Sequence, residues 1–459
     1  MFKNDTIAAI STGMSNSGIG IVRITGEKAL EVINKIFIPY NKNKDINNVS
    51  SHTVHYGNIV DGEKILDEVL VIIMKAPNTY TREDVVEIDC HGGVLVVKKI
   101  FELILKNEVR CAEPGEFTKR AFLNGRIDLS QAEAVADLIN AKSSMALDAS
   151  ISQLKGKMSE IIKKEREKII HHIAFIEAAL DDPEHLSVDN YGQELKVDVK
   201  DILIVLEKLL NSFDDGKIIS EGIKTVILGK PNAGKSSLMN TLLGEERAIV
   251  TDIAGTTRDT LEESVNLSEL QLNIIDTAGI RETEDVVEKI GVERSKTMAK
   301  DCDLVIYVVD ASVPLDDNDK EIIKIISDKK CIVLLNKTDL ECIVKIEDIK
   351  KIIDTQPIEI SAKNNIGIDK FIETVKDMFY NGKLSFNDEI YITNLRHKEA
   401  LAEAIDSLKL VIKSIEDEMP EDFYSIDLMN SYEVLGRIIG ESVEDDLVNE
   451  IFSKFCMGK

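Results

Sequence analysis

The chain has 459 residues, too many for a single hydrophobic core, and this length predicts roughly two to four domains. Of its residues 44% are apolar and none is tryptophan, so aliphatic side chains should form most of the interior. The formal charge is −26, from 56 basic and 82 acidic residues, and this field disfavours tight RNA binding by the chain alone. It does not exclude an RNA substrate shared with another subunit.

The composition also indicates the compartment. Six cysteines occur without a CxxC pair, which argues against a disulfide framework or a zinc site and favours a reducing cytoplasm. The first residues lack the features of a signal peptide, and no apolar run reaches the ~20 residues of a membrane helix. We therefore expect a soluble, cytoplasmic protein with no membrane partner.

The first half of the chain contains two regions with different patterns of apolar residues. Residues 1–118 predict a mixed α and β domain, with strands at 19–24, 58–60 and 66–74 and a turn at Asp61-Gly62. Residues 119–218 predict long packed helices, because apolar residues recur at spacings of three and four. Between Gly125 and Pro183 the only helix breaker is Gly156.

Residues 219–382 alternate between strands and helices, the pattern of a parallel sheet, and residues 383–459 are again helical. The predicted strands are 223–228, 272–275, 304–309, 332–335 and 358–360. Helix, α/β domain and helix in that order suggest an insertion, with 119–218 and 383–459 as two halves of one helical domain. The predicted fold class is multidomain α/β and α+β: a mixed N-terminal domain, a helical domain and an inserted domain with a mostly parallel sheet.

A phosphate-binding loop follows the first strand of the inserted domain. Residues 229–236, GKPNAGKS, match the GxxxxGK[ST] pattern. In such a loop the glycines let backbone N–H groups surround the phosphates, Lys235 reaches the outer phosphates and the Ser236 hydroxyl binds Mg²⁺. The strand before it and the helical pattern after it are the context that this mechanism requires.

Four further motifs stand where a nucleotide-binding domain needs them. Residues 276–279, DTAG, end a strand and can act on Mg²⁺ and the γ-phosphate, and Gly255-Thr256-Thr257 can serve as a switch segment. Residues 336–339, NKTD, end the fourth strand, and 361–363, SAK, follow the fifth. A carboxylate at Asp339 can accept two hydrogen bonds from guanine, which adenine cannot donate, so we predict a Ras-like GTPase domain rather than a P-loop ATPase.

One position departs from Ras-type enzymes. The residue after DTAG, where such enzymes carry a water-positioning glutamine, is Ile280, and an apolar side chain cannot orient the attacking water. Hydrolysis must then use another polar residue or an external activator. The following residues, 281–293, include several carboxylates, most of which we interpret as a solvated acidic stretch.

These motifs, with both ends of the chain, resemble the bacterial and organellar family of tRNA-modification GTPases called MnmE or TrmE. The resemblance runs from end to end. Its segments are DTI at 5–7, GIVRI at 20–24, EDVVE at 83–87, HGG at 91–93, PGEFTKRAFLNGR at 114–126, DLSQAEA at 128–134, GKPNAGKSSL at 229–238, IVTDIAGTTRD at 249–259 and IFSKFCMGK at 451–459. One departure is Asp182, where the family usually has an aromatic residue.

The resemblance implies a function. With the flavoprotein MnmG, as a heterotetramer, such a protein builds a carboxymethylaminomethyl or aminomethyl group on C5 of the wobble uridine of certain tRNAs. It uses 5-formyl-tetrahydrofolate or a related folate and GTP hydrolysis stimulated by K⁺, as a homodimer. The implied domains are 1–118 for folate binding and dimerisation, 119–218 and 383–459 for the helical domain, and 219–382 for the GTPase domain.

The resemblance also assigns residues of the GTPase domain. It implies K⁺ ligands at Asn232, Thr251, Ile253 and Thr256, Mg²⁺ ligands at Ser236 and Thr257, and a catalytic Glu288 that replaces the missing glutamine. The whole predicted GTP site comprises Asn232, Ala233, Gly234, Lys235, Ser236, Ser237, Thr251, Asp252, Ile253, Ala254, Gly255, Thr256, Thr257, Asp276, Thr277, Ala278, Gly279, Asn336, Lys337, Asp339, Ser361, Ala362 and Lys363.

For the folate, the resemblance implies Arg23, Glu87, Arg126 and the terminal Lys459, since a folate offers carboxylates and a pterin edge to such groups. Cys456 matches the cysteine of the family's tail and is a possible functional cysteine. The alternative is a regulatory or assembly GTPase that only switches and binds. A folate titration separates the two. The choice of tRNAs, the amine donor and the coupling of hydrolysis to the modification are not predicted from the sequence.

Overall fold

The computed structural model describes residues 5–41, 45–182, 185, 191–244, 263–267, 270–275, 302–353, 355–380, 390–441, 445–455 and 458. Its strands in chain order are β1 (Ile7–Ile10), β2 (Ile19–Thr25), β3 (Phe37–Pro39), β4 (Thr53–Asp61), β5 (Lys64–Met74), β6 (Val85–His91), β7 (Arg110–Cys111), β8 (Ile223–Leu228), β9 (Glu263–Leu267), β10 (Leu270–Ile274), β11 (Leu304–Asp310), β12 (Cys331–Asn336) and β13 (Ile358–Glu359).

The helices of the described residues are α1 (Ala29–Ile36), α2 (Val94–Leu105), α3 (Glu116–Leu123), α4 (Leu129–Asn140), α5 (Ser144–Leu154), α6 (Lys157–Asp181), α7 (Tyr191–Asn211), α8 (Phe213–Glu221), α9 (Lys235–Gly244), α10 (Asp317–Ile326), α11 (Ile346–Lys350), α12 (Ile368–Tyr380), α13 (Leu395–Glu416), α14 (Glu421–Ile439) and α15 (Asp445–Ser453). The chain forms two compact units. One comprises residues 1–139, 151–203 and 400–459, and the other 140–150 and 204–399.

The first unit contains a seven-stranded sheet in the order β3-β4-β5-β6-β2-β1-β7. The predicted hairpin is confirmed: β4 and β5 pair in antiparallel fashion, but the turn between them is Gly62-Glu63, one residue later than predicted, and the φ of Gly62 is 62°. Alternate side chains of β4 and β5, such as Ile59 and Val71, are buried against α1 and α2. The sheet brings β2 next to β6, which sets the geometry of a candidate site described below.

The predicted helical stretch 119–218, which contributes residues to both units, follows the predicted pattern with one addition. The φ of Gly156 is 83°, and α6 begins directly after it. On α6 the residues Ile162, Ile169, Ile173 and Ile176 are buried, as their spacing predicts. A second break, at residues 141–143, was not predicted. There the Ser143 hydroxyl accepts a hydrogen bond of 3.1 Å from the N–H of Ala146, so a serine cap rather than a glycine starts α5.

The second unit contains a six-stranded sheet in the order β13-β12-β11-β8-β10-β9. All five predicted strands are present, and β8 has the predicted bounds. The strands are parallel except β9, an unpredicted strand that pairs antiparallel with β10. Side chains of α9 and α12 cover one face, and those of α10 and α11 cover the other. The predicted fold class is therefore confirmed.

In the described part of the chain, no helix is both long enough and apolar enough to span a bilayer. The carboxyl ends of β8, β11, β12 and β13 lie at one edge of the second sheet, because these strands are parallel. Ligands of open α/β sheets bind outside this edge. The predicted phosphate and base motifs follow β8, β12 and β13.

Candidate functional sites

The phosphate loop has a backbone conformation that its sequence explains. It runs from the end of β8 to the start of α9, and the φ angles of Gly229, Asn232 and Gly234 are 153°, 62° and 99°. A β-carbon on Gly229 would lie 2.4 Å from the carbonyl oxygen of Val308 on β11, so only glycine fits there. The loop therefore packs directly against the neighbouring strand.

Lys235 is held inside this loop. Its ammonium donates hydrogen bonds of 2.7 Å to the carbonyl oxygen of Gly229 and 2.8 Å to that of Lys230. Burial lowers the pKa of Lys235 below its ordinary value. A nearby phosphate would oppose this effect, because an anion stabilises the charged form of the ammonium.

Asn336 connects the phosphate loop to the base-side loops. This buried side chain donates to the carbonyl oxygen of Ala233 at 2.9 Å and accepts from the N–H of Ala362 at 3.0 Å. We call these two hydrogen bonds the Asn336 latch. A β-carbon on Gly234 would lie 2.0 Å from the Asn336 amide nitrogen. The latch thus brings together three motifs that the sequence predicted separately.

The base-side loop presents one carboxylate to solvent. Asp339 accepts a hydrogen bond of 2.7 Å from the hydroxyl of Ser361, which holds the pKa of Asp339 below its ordinary value. Beside it, the ammonium of Lys337 donates to Asp310 at 2.6 Å. Burial raises the pKa of Asp310, but hydrogen bonds from Lys337 and Ser312 outweigh this and lower it overall. The ionised Asp339 is free to accept hydrogen bonds from a base edge with two donors.

The structure positions only part of the predicted GTP site. Ser236 and Ser237 are exposed in the first turn of α9, and Lys363 is exposed after Ala362. The predicted residues that lie outside the described part are Thr251, Asp252, Ile253, Ala254, Gly255, Thr256, Thr257, Asp276, Thr277, Ala278, Gly279 and Glu288, as are Cys456 and Lys459 of the tail.

A second group of predicted residues meets in the first unit. Arg23 on β2 and Glu87 on β6 are register partners, and the Arg23 Nε lies 2.6 Å from the Glu87 Oε1. Arg23 also donates to the carbonyl oxygen of Gly458 at 3.3 Å. The φ of Gly458 is 86°, and a β-carbon there would lie 2.7 Å from the carbonyl oxygen of Ile10. Gly458 is therefore docked beside Arg23.

Arg126 is linked to this pair through aromatic rings. The guanidinium of Arg126 lies 4.6 Å from the ring centre of Tyr80, and that of Arg23 lies 5.6 Å from the ring centre of Phe117. Tyr80 packs against the apolar cluster that contains Phe117. We call Arg23, Glu87, Phe117, Tyr80, Arg126 and Gly458 the arginine site.

Arg126 and Tyr80 also line an open cleft of about 450 Å³. Its other lining residues are His52, Met74, Pro77, Asn78, Thr79 and Arg82. Among the described residues, neither Arg82 nor Arg126 forms an ion pair with a carboxylate. Sequence reasoning missed Phe117 and Tyr80. Phe117 lies within the 114–126 segment that carries the family resemblance, and this segment could have pointed to it. Nothing in the sequence singles out Tyr80.

The parallel sheet, the phosphate loop and the base-side carboxylate define a P-loop guanine-nucleotide-binding protein. Two family models match the chain: MnmE helical domain over residues 129–456, and GTP-binding protein TrmE N-terminus over residues 6–126. A tRNA modification GTPase MnmE of Lachnoclostridium phytofermentans is 60% identical over 457 residues, which cover 100% of both chains. The proteins of that name from Acetivibrio thermocellus and Clostridioides difficile are each 50% identical, also over 100% of both chains.

The chain belongs to the MnmE family of tRNA modification GTPases. Membership of this family makes it a GTPase, as the phosphate loop and Asp339 predict. Among solved structures, Aquifex aeolicus Era is 30% identical and covers 41% of this chain and 67% of that chain, with a TM-score of 0.26.

Proposed function

We propose that this chain is a potassium-stimulated GTPase that modifies C5 of the wobble uridine in certain tRNAs. It acts in the cytoplasm with the flavoprotein MnmG, as a heterotetramer, and installs a carboxymethylaminomethyl or aminomethyl group from a folate one-carbon donor. The observation that carries the proposal is the meeting of Arg23, Glu87 and Gly458 in a chain that also holds a nucleotide site. A GTPase that acts only as a switch has no use for the cluster of Arg23, Glu87 and Gly458.

The GTPase step uses the loop geometry. Lys235 meets the outer phosphates, and Asp339, held by Ser361, pairs with the guanine edge. The exposed Ser236 hydroxyl suits Mg²⁺, a hard cation that takes oxygen ligands. The exposed Asn232 amide at the loop tip suits K⁺, with Thr251, Ile253 and Thr256 as further ligands and Thr257 on Mg²⁺. Bound cations supply positive charge where the transition state develops negative charge.

Water activation is assigned to Glu288. No glutamine follows DTAG, because that position is Ile280, so hydrolysis needs another polar residue or an external activator, and the family resemblance gives this role to Glu288. Glu288 accepts the hydrogen bond of that water and aims its oxygen at the γ-phosphate. The other acidic residues of 281–293 have no role in this step.

The folate step uses the arginine site. Glu87, oriented by Arg23, can accept hydrogen bonds from the N–H groups of a pterin edge. Arg126, on the ring of Tyr80, offers its guanidinium to a folate carboxylate in the adjoining cleft. Lys459, which the family resemblance also assigns to the folate, is the next residue in the sequence after Gly458 and lies outside the described residues. These donors fit a ligand that has both an aromatic edge and carboxylates.

We also propose a homodimer, supported by the outward face of the first sheet. Tyr56 on β4 and Leu70 on β5 lie opposite each other in the strand register and share this face with Val54. Their exposed fractions are 47% for Tyr56, 44% for Leu70 and 56% for Val54. Exposed apolar side chains that are contiguous on one sheet face commonly mark an interface. Because the net charge of −26 repels phosphate, we propose that this chain and the flavoprotein partner bind the tRNA together.

The proposal is tested first by GTP turnover in KCl and in NaCl at matched ionic strength. We expect a rate that is specific to K⁺ and that falls by roughly a hundredfold or more in Glu288→Ala, as for loss of a water-positioning group. Glu282→Ala, six residues earlier in the same acidic stretch, is the matched control and should keep the wild-type rate. Equal rates in both salts, or an unaffected Glu288→Ala, would reject this mechanism.

A further inference from the structure

We propose that Lys230 is a positioning residue of the phosphate loop. Its side chain is held by Asp316 and Asp319, and this fixes the loop conformation in which Lys235 meets the nucleotide phosphates. The proposed function gives Lys230 no role, so the inference goes beyond it and needs only nucleotide binding. We call Lys230, Asp316, Asp319 and Tyr307 the Lys230 clamp.

The clamp is anchored in the interior of the second unit. The Lys230 Nζ lies 2.7 Å from the Asp319 Oδ2 and 3.0 Å from the Asp316 Oδ2. Asp319 is 1% exposed, and its other carboxylate oxygen accepts a hydrogen bond of 2.6 Å from the hydroxyl of the fully buried Tyr307. Asp316 caps α10, and its N–H donates to Asp319 at 2.9 Å. A buried carboxylate with this many partners defines one position for the ammonium.

The clamp acts on the loop through the backbone of Lys230. The carbonyl oxygen of Lys230 accepts the 2.8 Å hydrogen bond from the ammonium of Lys235, so a shift of Lys230 displaces an acceptor of Lys235. Tyr307 on β11 is the register partner of Leu228, the last residue of β8 before the loop. The anchor and the start of the loop therefore belong to one pair of strands.

The same contacts argue against a direct role of Lys230 as a phosphate ligand. A lone ammonium at the second position of a phosphate loop would attract the anion. Here two carboxylates compensate its charge and occupy two of its three donors. Lys230 then affects nucleotide binding by holding the loop through its backbone carbonyl.

The test is a titration of the full chain with a fluorescent GDP in Mg²⁺ buffer, which gives both the Kd and the number of sites. We expect Lys230→Met to raise the Kd about tenfold, with the site number unchanged, because charge-assisted hydrogen bonds are lost. Lys230→Arg should restore the Kd to within about twofold, since it keeps the charge and the donors. Lys320→Met is the control: Lys320 is on α10 and pairs with the exposed Asp317 at 2.8 Å, so its Kd should not change.

A purely structural role gives a different result: fewer sites, each with the wild-type Kd. That result, or a wild-type titration for Lys230→Met, overturns the proposal. If Lys230→Met does not fold, Tyr307→Phe carries the test, because it removes only the hydroxyl that holds Asp319. We expect it to raise the Kd about threefold at full site number. An unchanged Kd in Tyr307→Phe overturns the proposal.

Discussion

At the nucleotide site the ligand-binding groups are placed by backbone conformation, whereas at the arginine site they are placed by side chains from separate segments. The phosphate loop owes its shape to glycines at φ values of 153° and 99°, and the Asn336 latch closes on main-chain atoms. The arginine site instead joins β2, β6, α3 and the tail through an ion pair, ring contacts and one carbonyl oxygen.

The difference determines which changes each site tolerates. A backbone-built site accepts many side chains at exposed positions but no β-carbon where the chain comes close to itself. A site built from ionised side chains should be sensitive to the loss of each charge. The two sites should therefore fail independently and by different kinds of substitution.

The largest effect is expected for Gly234→Ala. Its β-carbon would lie 2.0 Å from the Asn336 amide nitrogen at a φ of 99°, so either the loop or the latch must move. We expect GDP affinity to fall by at least about a hundredfold, measured by fluorescence titration of the intact chain.

Gly244→Ala is the matched control for this variant. It ends the same helix, α9, and a β-carbon there meets no atom of the described residues within 4 Å, so its GDP affinity should equal that of the wild type. Folate binding should survive in Gly234→Ala. Loss of both ligands would mean that the two sites are not independent.

The same difference explains what could be predicted from the sequence. The phosphate loop is contiguous, so its pattern predicted the end of β8, the start of α9 and the role of Lys235. The latch was not predicted, because it depends on how closely the end of β12 approaches Ala233 in the folded chain. Strand β9 was missed because it has only five residues, of which only Val265 and Leu267 are apolar, too short an alternation to predict a strand.

At the arginine site, residue types alone were uninformative. Arg23, Glu87 and Arg126 are far apart in sequence and were assigned only through the family resemblance. The structure pairs the first two directly, and it connects Arg126 to them through Tyr80 and the cluster around Phe117. Such a set arises from strand register and packing, which no local pattern encodes.

A smaller effect, at the arginine site alone, is expected for Arg23→Gln. This change removes the 2.6 Å contact with Glu87 and the bond to Gly458. We expect the affinity for 5-formyl-tetrahydrofolate, measured by calorimetry, to fall roughly ten- to a hundredfold while GDP affinity stays the same. Lys28→Gln removes an exposed ion pair of the same unit, with Glu108, and should change neither.

Each result for Arg23→Gln has a distinct meaning. If Arg23→Gln binds folate with the affinity of the wild type, Arg23 does not belong to the folate site. If even the wild-type chain binds no folate, the assignment of the arginine site fails, and a regulatory GTPase becomes the better description. The GTP-binding assignment stands in both cases, because it rests on the other unit.

The smallest expected effect is a dependence of the unfolding free energy on pH, and it concerns a carboxylate in the same unit as the arginine site. Glu116, next to Phe117, is 7% exposed and lies 2.6 Å from Arg110 and 3.1 Å from Arg120. Burial raises its pKa, but the two guanidiniums and the N–H of Glu113 outweigh this and leave the pKa below the ordinary 4.5. A carboxylate with a lowered pKa in the folded state stabilises it above its unfolded pKa.

That contribution should therefore be complete above about pH 5 and lost as the pH falls through the lowered pKa, since the unfolded chain then binds more protons. Glu116→Gln cannot titrate, so the difference in unfolding free energy between wild type and variant should shrink by about 1 kcal/mol from pH 7 to pH 3.5 in urea. The Asn336 latch contains no ionisable group, so a similar pH slope for Asn336→Ala would show that the slope does not come from the titration of Glu116.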